Sequence, residues 1–231
     1  MKWGHALVII CLVMVFAPSP EVAAAPKMRF SERLFDFGYM PEGLRAQHRY
    51  WLYNVGTDTL FVKSVKPSCG CTTVPLPRKQ IRPGDSVPLD LSFDTHRYQL
   101  RVNKSVTVYS DDTTQPEAKI YFTAYIGDSA QAIRVEPKTA YLDTLGKEQQ
   151  VITVTNASDR VYRVSLTSPP PGYMSVDIPA PEIPANSKAQ LVLKAGPKTP
   201  VGEYSGSLTL RFAGPDTISF TVPIYGMGYY H

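Results

Sequence analysis

The stretch Gln47-His48-Arg49-Tyr50-Trp51-Leu52-Tyr53-Asn54 decides the fold class, because it returns as Gln149-Gln150-Val151-Ile152-Thr153-Val154-Thr155-Asn156. Tyr50 and Leu52 in the first copy match Ile152 and Val154 in the second. Apolar residues two apart share one face of a β-strand, so each copy reads as a strand with one side in a core. Working outward at the same offset (156 − 54 = 102), Val62 pairs with Val164, Pro67 with Pro169, Gly70 with Gly172, Val74 with Val176, Pro77 with Pro179 and Ile81 with Ile183. Leu89, Leu91, Ser105 and Thr107 pair with Leu191, Leu193, Ser207 and Thr209. These twelve identities occupy the 64 ungapped positions from Gln47 to Ser110, where average composition gives about four by chance. Beyond Ser110 the offset drops to 98, matching Ile120, Phe122 and Thr123 to Ile218, Phe220 and Thr221. A last hairpin four residues shorter in the second copy accounts for the shift. One domain is used twice.

No stretch of the copies sustains a 3.6-residue apolar period. Instead, short alternating runs rich in Val, Tyr, Thr, Leu and Phe are punctuated by Pro, Gly, Asn and Asp. The first copy predicts strands at Arg33–Gly38, Gln47–Asn54, Leu60–Lys66, Cys71–Leu76, Ser86–Phe93, Val102–Ser110 and Lys119–Ile126. Seven short strands in about 100 residues indicate an immunoglobulin-like β-sandwich. The expected fold is all-β, with two tandem sandwiches at 27–127 and 131–231 joined near Gly127–Gln131.

Composition agrees with a folded protein. Of 231 residues 43% are apolar and 19% charged, with 21 Pro, 15 Gly and 3 Cys, which excludes a disordered tail, a collagen-like repeat and a disulfide-dense miniprotein. The net charge of +4 is spread along the chain. Without the basic runs of nucleic-acid arms, no nucleic-acid partner is expected. The apolar run Ala6–Ala17, preceded by Lys2 and followed by Val22-Ala23-Ala24, is too short to span a membrane as a helix but fits the core of a secretory signal. Cleavage after Ala24 predicts a mature chain of 231 − 24 = 207 residues with no transmembrane span, exported to the periplasm or beyond. It also removes Cys11 and His5, leaving Cys69 and Cys71 as the mature cysteines.

Phe35-Asp36-Phe37-Gly38, Pro41-Glu42-Gly43, Tyr53-Asn54-Val55-Gly56, Pro67-Ser68-Cys69-Gly70-Cys71-Thr72, Pro83-Gly84 and Ser92-Phe93-Asp94-Thr95 occur in this order. Together they resemble the bacterial domain-of-unknown-function family 1573 (DUF1573) over residues 30–126. The resemblance implies an immunoglobulin-like domain, similar to the hydin and spindle-associated type, in secreted or lipid-anchored bacterial proteins. It implies no reaction. Members usually carry a Gly shortly after the Phe-Asp-Thr element, where this chain has His96-Arg97-Tyr98-Gln99-Leu100. Residues 131–231 resemble the family only through the internal repeat.

The second copy supplies a control for the cysteines. Pro67-Ser68-Cys69-Gly70-Cys71 aligns with Pro169-Pro170-Pro171-Gly172-Tyr173, so the same loop exists without thiols. Three readings of Cys69 and Cys71 stand open. A disulfide suits an oxidising compartment, although cysteines two apart on an extended strand lie near the ~7 Å Cα limit, where the bond is strained and easily reduced. Thiol–disulfide exchange is the sharper form of that reading, without a Cys-x-x-Cys helix start to lower a thiol pKa. Two thiolates also suit Cu(I), whereas a closed zinc site needs four ligands; His48 and His96 add ligands only if the fold brings them close.

No nucleophile elbow, HExxH, phosphate loop or Cys-x-x-Cys occurs. Asp111-Asp112 and Asp216 fall in predicted hairpin turns, where Asp serves turn geometry. No enzymatic activity and no cofactor is expected. A second asymmetry lies on the outward positions: Trp51, Tyr53, Tyr109, Tyr121 and Tyr125 face Thr153, Thr155, Arg211, Ser219 and Pro223 in the alignment. Aromatic residues there can form a binding face for an envelope protein or glycan, or can simply cover a sheet. Trp51 and Tyr53 are expected on one sheet and the other three on the opposite one. The expected function is an interaction or structural module of the cell envelope, with a periplasmic thiol–disulfide or Cu(I)-handling protein as the alternative.

Overall fold

A computed structural model describes residues 24–127 and 132–230. The apolar run Ala6–Ala17 and most of the expected linker lie outside the described residues. The first half contains β1 (Met28–Phe30), β2 (Leu34–Met40), β3 (Arg45–Asn54), β4 (Leu60–Pro67), β5 (Thr72–Thr73), β6 (Gln80–Ile81), β7 (Ser86–Asp94), β8 (Leu100–Ser110) and β9 (Glu117–Ile126). The second contains β10 (Ile133–Glu136), β11 (Ala140–Asp143), β12 (Gln149–Asn156), β13 (Tyr162–Ser168), β14 (Met174–Asp177), β15 (Glu182–Ile183), β16 (Ser187–Ala195), β17 (Gly202–Ala213) and β18 (Thr217–Gly228). Every element among the described residues is a strand.

The halves share one wiring. In the first, β1-β3-β7-β5 form a four-stranded sheet; in the second, β10-β12-β16-β14 do the same. Each remaining set, β4-β8-β9 and β13-β17-β18, forms the opposing layer, with β2 and β11 joining β9 and β18 in parallel. One apolar cluster fills each half, with Phe37, Tyr50, Leu52, Phe93 and Phe122 at the first centre and Ile152, Leu191, Leu193, Leu210 and Phe212 at the second. Asn54 and Asn156, the end points of the founding repeat, are both buried and close the same corner. The Asn54 amide donates to the carbonyls of Asp58 (2.7 Å) and Ile81 (2.8 Å), and that of Asn156 to Arg160 (2.7 Å) and Ile183 (3.1 Å).

Two strands of the first copy escape the period-two signal. β1 and β6 have three and two residues, too short for alternation to show. The expected strand Cys71–Leu76 shrinks to Thr72–Thr73, since the chain bends at Cys69–Cys71 and Pro75 and Pro77 offer no N–H to a ladder.

The two outer layers run into one another. β2 pairs with β9 on one side and meets β18 on the other at Tyr39↔Phe220, giving one continuous sheet through both halves. The Phe-Asp-Phe-Gly element builds this joint. The Asp36 carboxylate accepts from the Gly38 amide (3.1 Å) and the Thr123 hydroxyl (2.6 Å), and the β2 register shifts between Asp36 and Tyr39. Gly38 has φ +65°, and a Cβ there would lie 1.9 Å from the Ser219 carbonyl oxygen. Only glycine permits both that conformation and that approach. The shift turns Tyr39 onto the second core while Phe37 and Met40 stay in the first. Buried polar groups fasten the joint: the Thr221 hydroxyl donates to the Phe37 carbonyl (2.6 Å), and Ser207 Oγ both accepts from the Gln47 amide (2.8 Å) and donates to its carbonyl (3.0 Å). The Arg45 amide donates to the Tyr225 hydroxyl (2.9 Å).

Candidate functional site

The Cys-Gly-Cys loop carries the chain from β4 in the long sheet to β5 in the four-stranded sheet. Ser68 anchors its start, its amide donating to the Ser105 carbonyl (2.9 Å) and its hydroxyl accepting from the Ser105 amide (3.1 Å). The Thr72 amide then reaches back to the Cys69 carbonyl (3.4 Å), and the Asp94 amide holds the Cys71 carbonyl (2.9 Å). The second half repeats these bonds at matching positions, from Met174 to Pro171 (2.8 Å) and from Gly196 to Tyr173 (2.8 Å). Proline fixes φ where the first half has a cysteine. The turn therefore belongs to the fold, and the sulfurs are an addition to it.

Those sulfurs are joined. Cys69 and Cys71 form a disulfide with Cα atoms 5.3 Å apart, well inside the usual range because the chain turns instead of running extended. Both residues are half-buried and Gly70 between them is exposed. Their surroundings differ: Cys71 packs against the first core, and the Tyr98 hydroxyl donates to its sulfur (3.2 Å). The Thr72 hydroxyl lies near both sulfurs, 3.5 Å from Cys69 and 3.6 Å from Cys71. Tyr98 leans on Phe93 (ring centroids 5.6 Å) under the Lys104 ammonium (4.8 Å). Its loop shows what replaces the family's glycine: Arg97 and Leu100 themselves adopt left-handed backbone, φ 67° and 62°. For side-chain-bearing residues this costs on the order of 1–3 kcal/mol each. Asp94 steadies the turn by accepting from the His96 amide (2.9 Å) and ring (2.6 Å). Burial pushes the Asp94 pKa up, and bonds from His96 and Arg45 outweigh it, so the carboxyl sits below its ordinary range.

The structure places the aromatic candidates on two surfaces. Trp51 and Tyr53 lie on β3, and Tyr109, Tyr121 and Tyr125 on β8 and β9 in the long sheet. Much of their area is covered from within. Arg49 lies over Trp51 (5.8 Å), Arg29 over Tyr53 (5.3 Å) and Lys66 over Tyr109 (5.4 Å), and Tyr125 packs on Tyr39 at the joint (4.9 Å). Tyr121 is the most open of the five, at 47% exposure. Asp112 does serve turn geometry. It accepts from the amides of Met28 (2.8 Å), Thr114 (2.8 Å) and Gln115 (3.1 Å), which outweigh burial and keep its pKa low.

His48 sits where sequence reasoning did not put it. A lone strand histidine is ordinarily solvated; this one is buried at the joint, stacked on Phe35 (centroids 3.5 Å). Its Nε2 bonds Glu32 Oε1 (2.8 Å) and its Nδ1 meets Ser168 Oγ of the second half (3.1 Å). Burial lowers its pKa, opposed by Glu32. With both nitrogens engaged there, it does not complete a site at the cysteines, and among the described residues no three His, Cys, Asp or Glu side chains stand together as metal ligands. The joint also leaves a groove of about 890 Å³, lined by Leu44, Arg45, Asp94, Tyr141, Tyr225 and Met227 among others. Sequence reasoning missed it, since no motif marks a surface assembled from both halves. No helix among the described residues is long and apolar enough to cross a membrane.

Comparison with known proteins bears first on the segment that holds the disulfide. Residues 28–126 match the family described as "Protein of unknown function (DUF1573)". The family resembled by the sequence motifs is therefore the one that this segment matches. The bounds of the match agree with the stretch over which the Phe-Asp-Phe-Gly and Ser-Cys-Gly-Cys-Thr elements run. No curated protein matches the chain. Among solved structures, a protein of unknown function from Porphyromonas gingivalis W83 is similar at 14% identity, covering 85% of this chain and 98% of that one, with a TM-score of 0.34. The PapD-like domain 7 of human CEP192 is similar at 11% identity, 55% and 99% coverage and a TM-score of 0.37. The periplasmic chaperone SfaE is similar at 12% identity, 88% and 100% coverage and a TM-score of 0.35.

Proposed function

We propose that this chain is an exported, non-enzymatic interaction or structural module of a bacterial envelope, made of two tandem immunoglobulin-like sandwiches: the DUF1573 domain and its diverged repeat. The observation that carries the reading is the joint. A sheet continuous through both halves, fastened at Gly38, Thr221, Ser207 and His48, holds the pair as one body. Two sandwiches fixed in one orientation present surfaces that neither half has alone, which suits a protein whose work is to hold a partner. The short apolar run Ala6–Ala17 and the small residues before Ala25 support export. The partner is an envelope protein or glycan.

The test pairs fractionation with capture. The chain expressed in full in a Gram-negative host should reach the envelope fraction with Ala25 as its N-terminus, by terminal sequencing. Immobilised mature chain should then retain from envelope extract a partner that a Gly38→Ala chain releases. Recovery in the cytoplasm with residues 1–24 intact, or a partner held equally by both chains, would count against the reading.

A further inference from the structure

We infer that the Cys69–Cys71 disulfide is an exchange site with a defined polarity: an incoming thiolate is taken up at Cys69, and Cys71 is the leaving sulfur. This goes beyond the module reading and stands or falls separately from it. The first observation is dispensability. The same crossover, with the same two backbone bonds, forms in the second half around Pro171 and Tyr173. Moreover, a disulfide closing a three-residue loop gains little, since loop-closure stabilisation falls with loop length. The second observation is access: both residues are half-buried, at a turn whose central Gly70 is exposed, and apart from Cys69 and Cys71 no residue has a heavy atom within 4 Å of where a Cβ on Gly70 would be.

The third observation sets the polarity. Cys71 packs against the core and its sulfur accepts the Tyr98 hydroxyl, whereas Cys69 has neither contact. In thiol–disulfide exchange the attacked sulfur keeps the new bond and the other departs as a thiolate, which a hydrogen-bond donor stabilises. The Tyr98 hydroxyl is placed for that, on a loop held in left-handed backbone at Arg97 and Leu100 and seated by Phe93 and Lys104. The attacking thiolate RS⁻ forms RS–S(Cys69), the Cys69–Cys71 bond breaks, and its electron pair leaves on Cys71. When the incoming reactant is a dithiol, its second thiol displaces Cys69. The dithiol becomes a disulfide, and the pair gains two electrons and two protons. The substrate class is a protein or small-molecule dithiol, oxidised stoichiometrically.

The experiment exposes the folded mature chain to reduced glutathione, quenches with N-ethylmaleimide and maps the adducts by fragmentation mass spectrometry. Glutathione on Cys69 with maleimide on Cys71 is expected, and Tyr98→Phe should slow the reaction about fivefold, the worth of one hydrogen bond. Phenylalanine keeps the ring on Phe93, and unchanged far-ultraviolet circular dichroism confirms that the variant is folded. Three results would overturn the proposal: a pair that reacts only after denaturation, glutathione found on Cys71, or a Tyr98→Phe chain that reacts at the wild-type rate.

Discussion

Replacing both cysteines, Cys69→Ser with Cys71→Ser, separates a staple from an addition. The bond joins residues two apart, so the loop it closes has three residues, for which the chain-entropy relation gives roughly 1.6 kcal/mol at 25 °C, against about 3 kcal/mol for a fifteen-residue loop. The turn keeps its other fastenings in the variant: the Thr72 amide on the carbonyl of residue 69, the Asp94 amide on that of residue 71 and the Ser68–Ser105 pair. A serine hydroxyl at 71 also still accepts from Tyr98. The expected loss is therefore about 1–2 kcal/mol, a fall in Tm of about 3–6 °C for a chain of this size. Urea titration followed through Trp51 is the assay, since after Ala24 that is the one tryptophan and it lies on β3 of the first half. The variant should unfold cooperatively with an unchanged slope. A loss above about 4 kcal/mol, or a smeared Trp51 transition, would show that the first half depends on its disulfide and would refute the reasoning from the repeat.

Gly38→Ala adds a left-handed side chain, costing on the order of 1–2 kcal/mol, and drives its Cβ into the Ser219 carbonyl. Together with the buried Thr221–Phe37 bond at risk, about 3 kcal/mol of stability should be lost in a urea titration; a neutral result would place the halves apart. His48→Gln installs the residue that the repeat has at Gln150. Because burial depresses the His48 pKa below 6.5, the unfolded chain takes up the proton first. Its stabilising contribution is complete above pH 6.5 and declines as pH falls below it. The wild-type Tm should drop from pH 6.5 to pH 5 more steeply than that of the variant, and parallel curves would contradict the buried placement. Asn54→Ala and Asn156→Ala should each cost about 2–4 kcal/mol by stranding buried carbonyls, and within about 1 kcal/mol of each other, as measured by calorimetry. One costly and one neutral substitution would show that the two corners are not equivalent.

How much of this was legible in the sequence depends on the range over which each signal acts. Tyr50, Leu52, Ile152 and Val154 declare their faces locally, by alternation, and all four are in the cores. Asn54 and Asn156 were visible as a repeated pair, though not as the polar plugs they are. The Cys69–Cys71 loop was legible as an addition because its thiol-free counterpart lies in the same chain. Tyr98 was not, since its contact with Cys71 crosses 27 residues and depends on left-handed backbone at Arg97, where composition favours glycine. The joint was the least legible part. Gly38 was visible as a motif glycine, Ser207 and Thr221 as repeat identities and His48 as a conditional ligand, but only when β2 meets β18 do the tight approach and the buried hydroxyls acquire a reason. Tyr39 and Tyr125 show the same: read as strand aromatics, they pack together beside Phe220 of the other half.

The central claim is that both halves of the chain move as one body. Small-angle X-ray scattering from monomeric chain of residues 25–231 tests it most directly. A profile reproduced by one fixed arrangement with the continuous sheet intact is the predicted result, with a larger radius of gyration for Gly38→Ala. A wild-type profile that only a broad range of inter-half orientations can fit would contradict it.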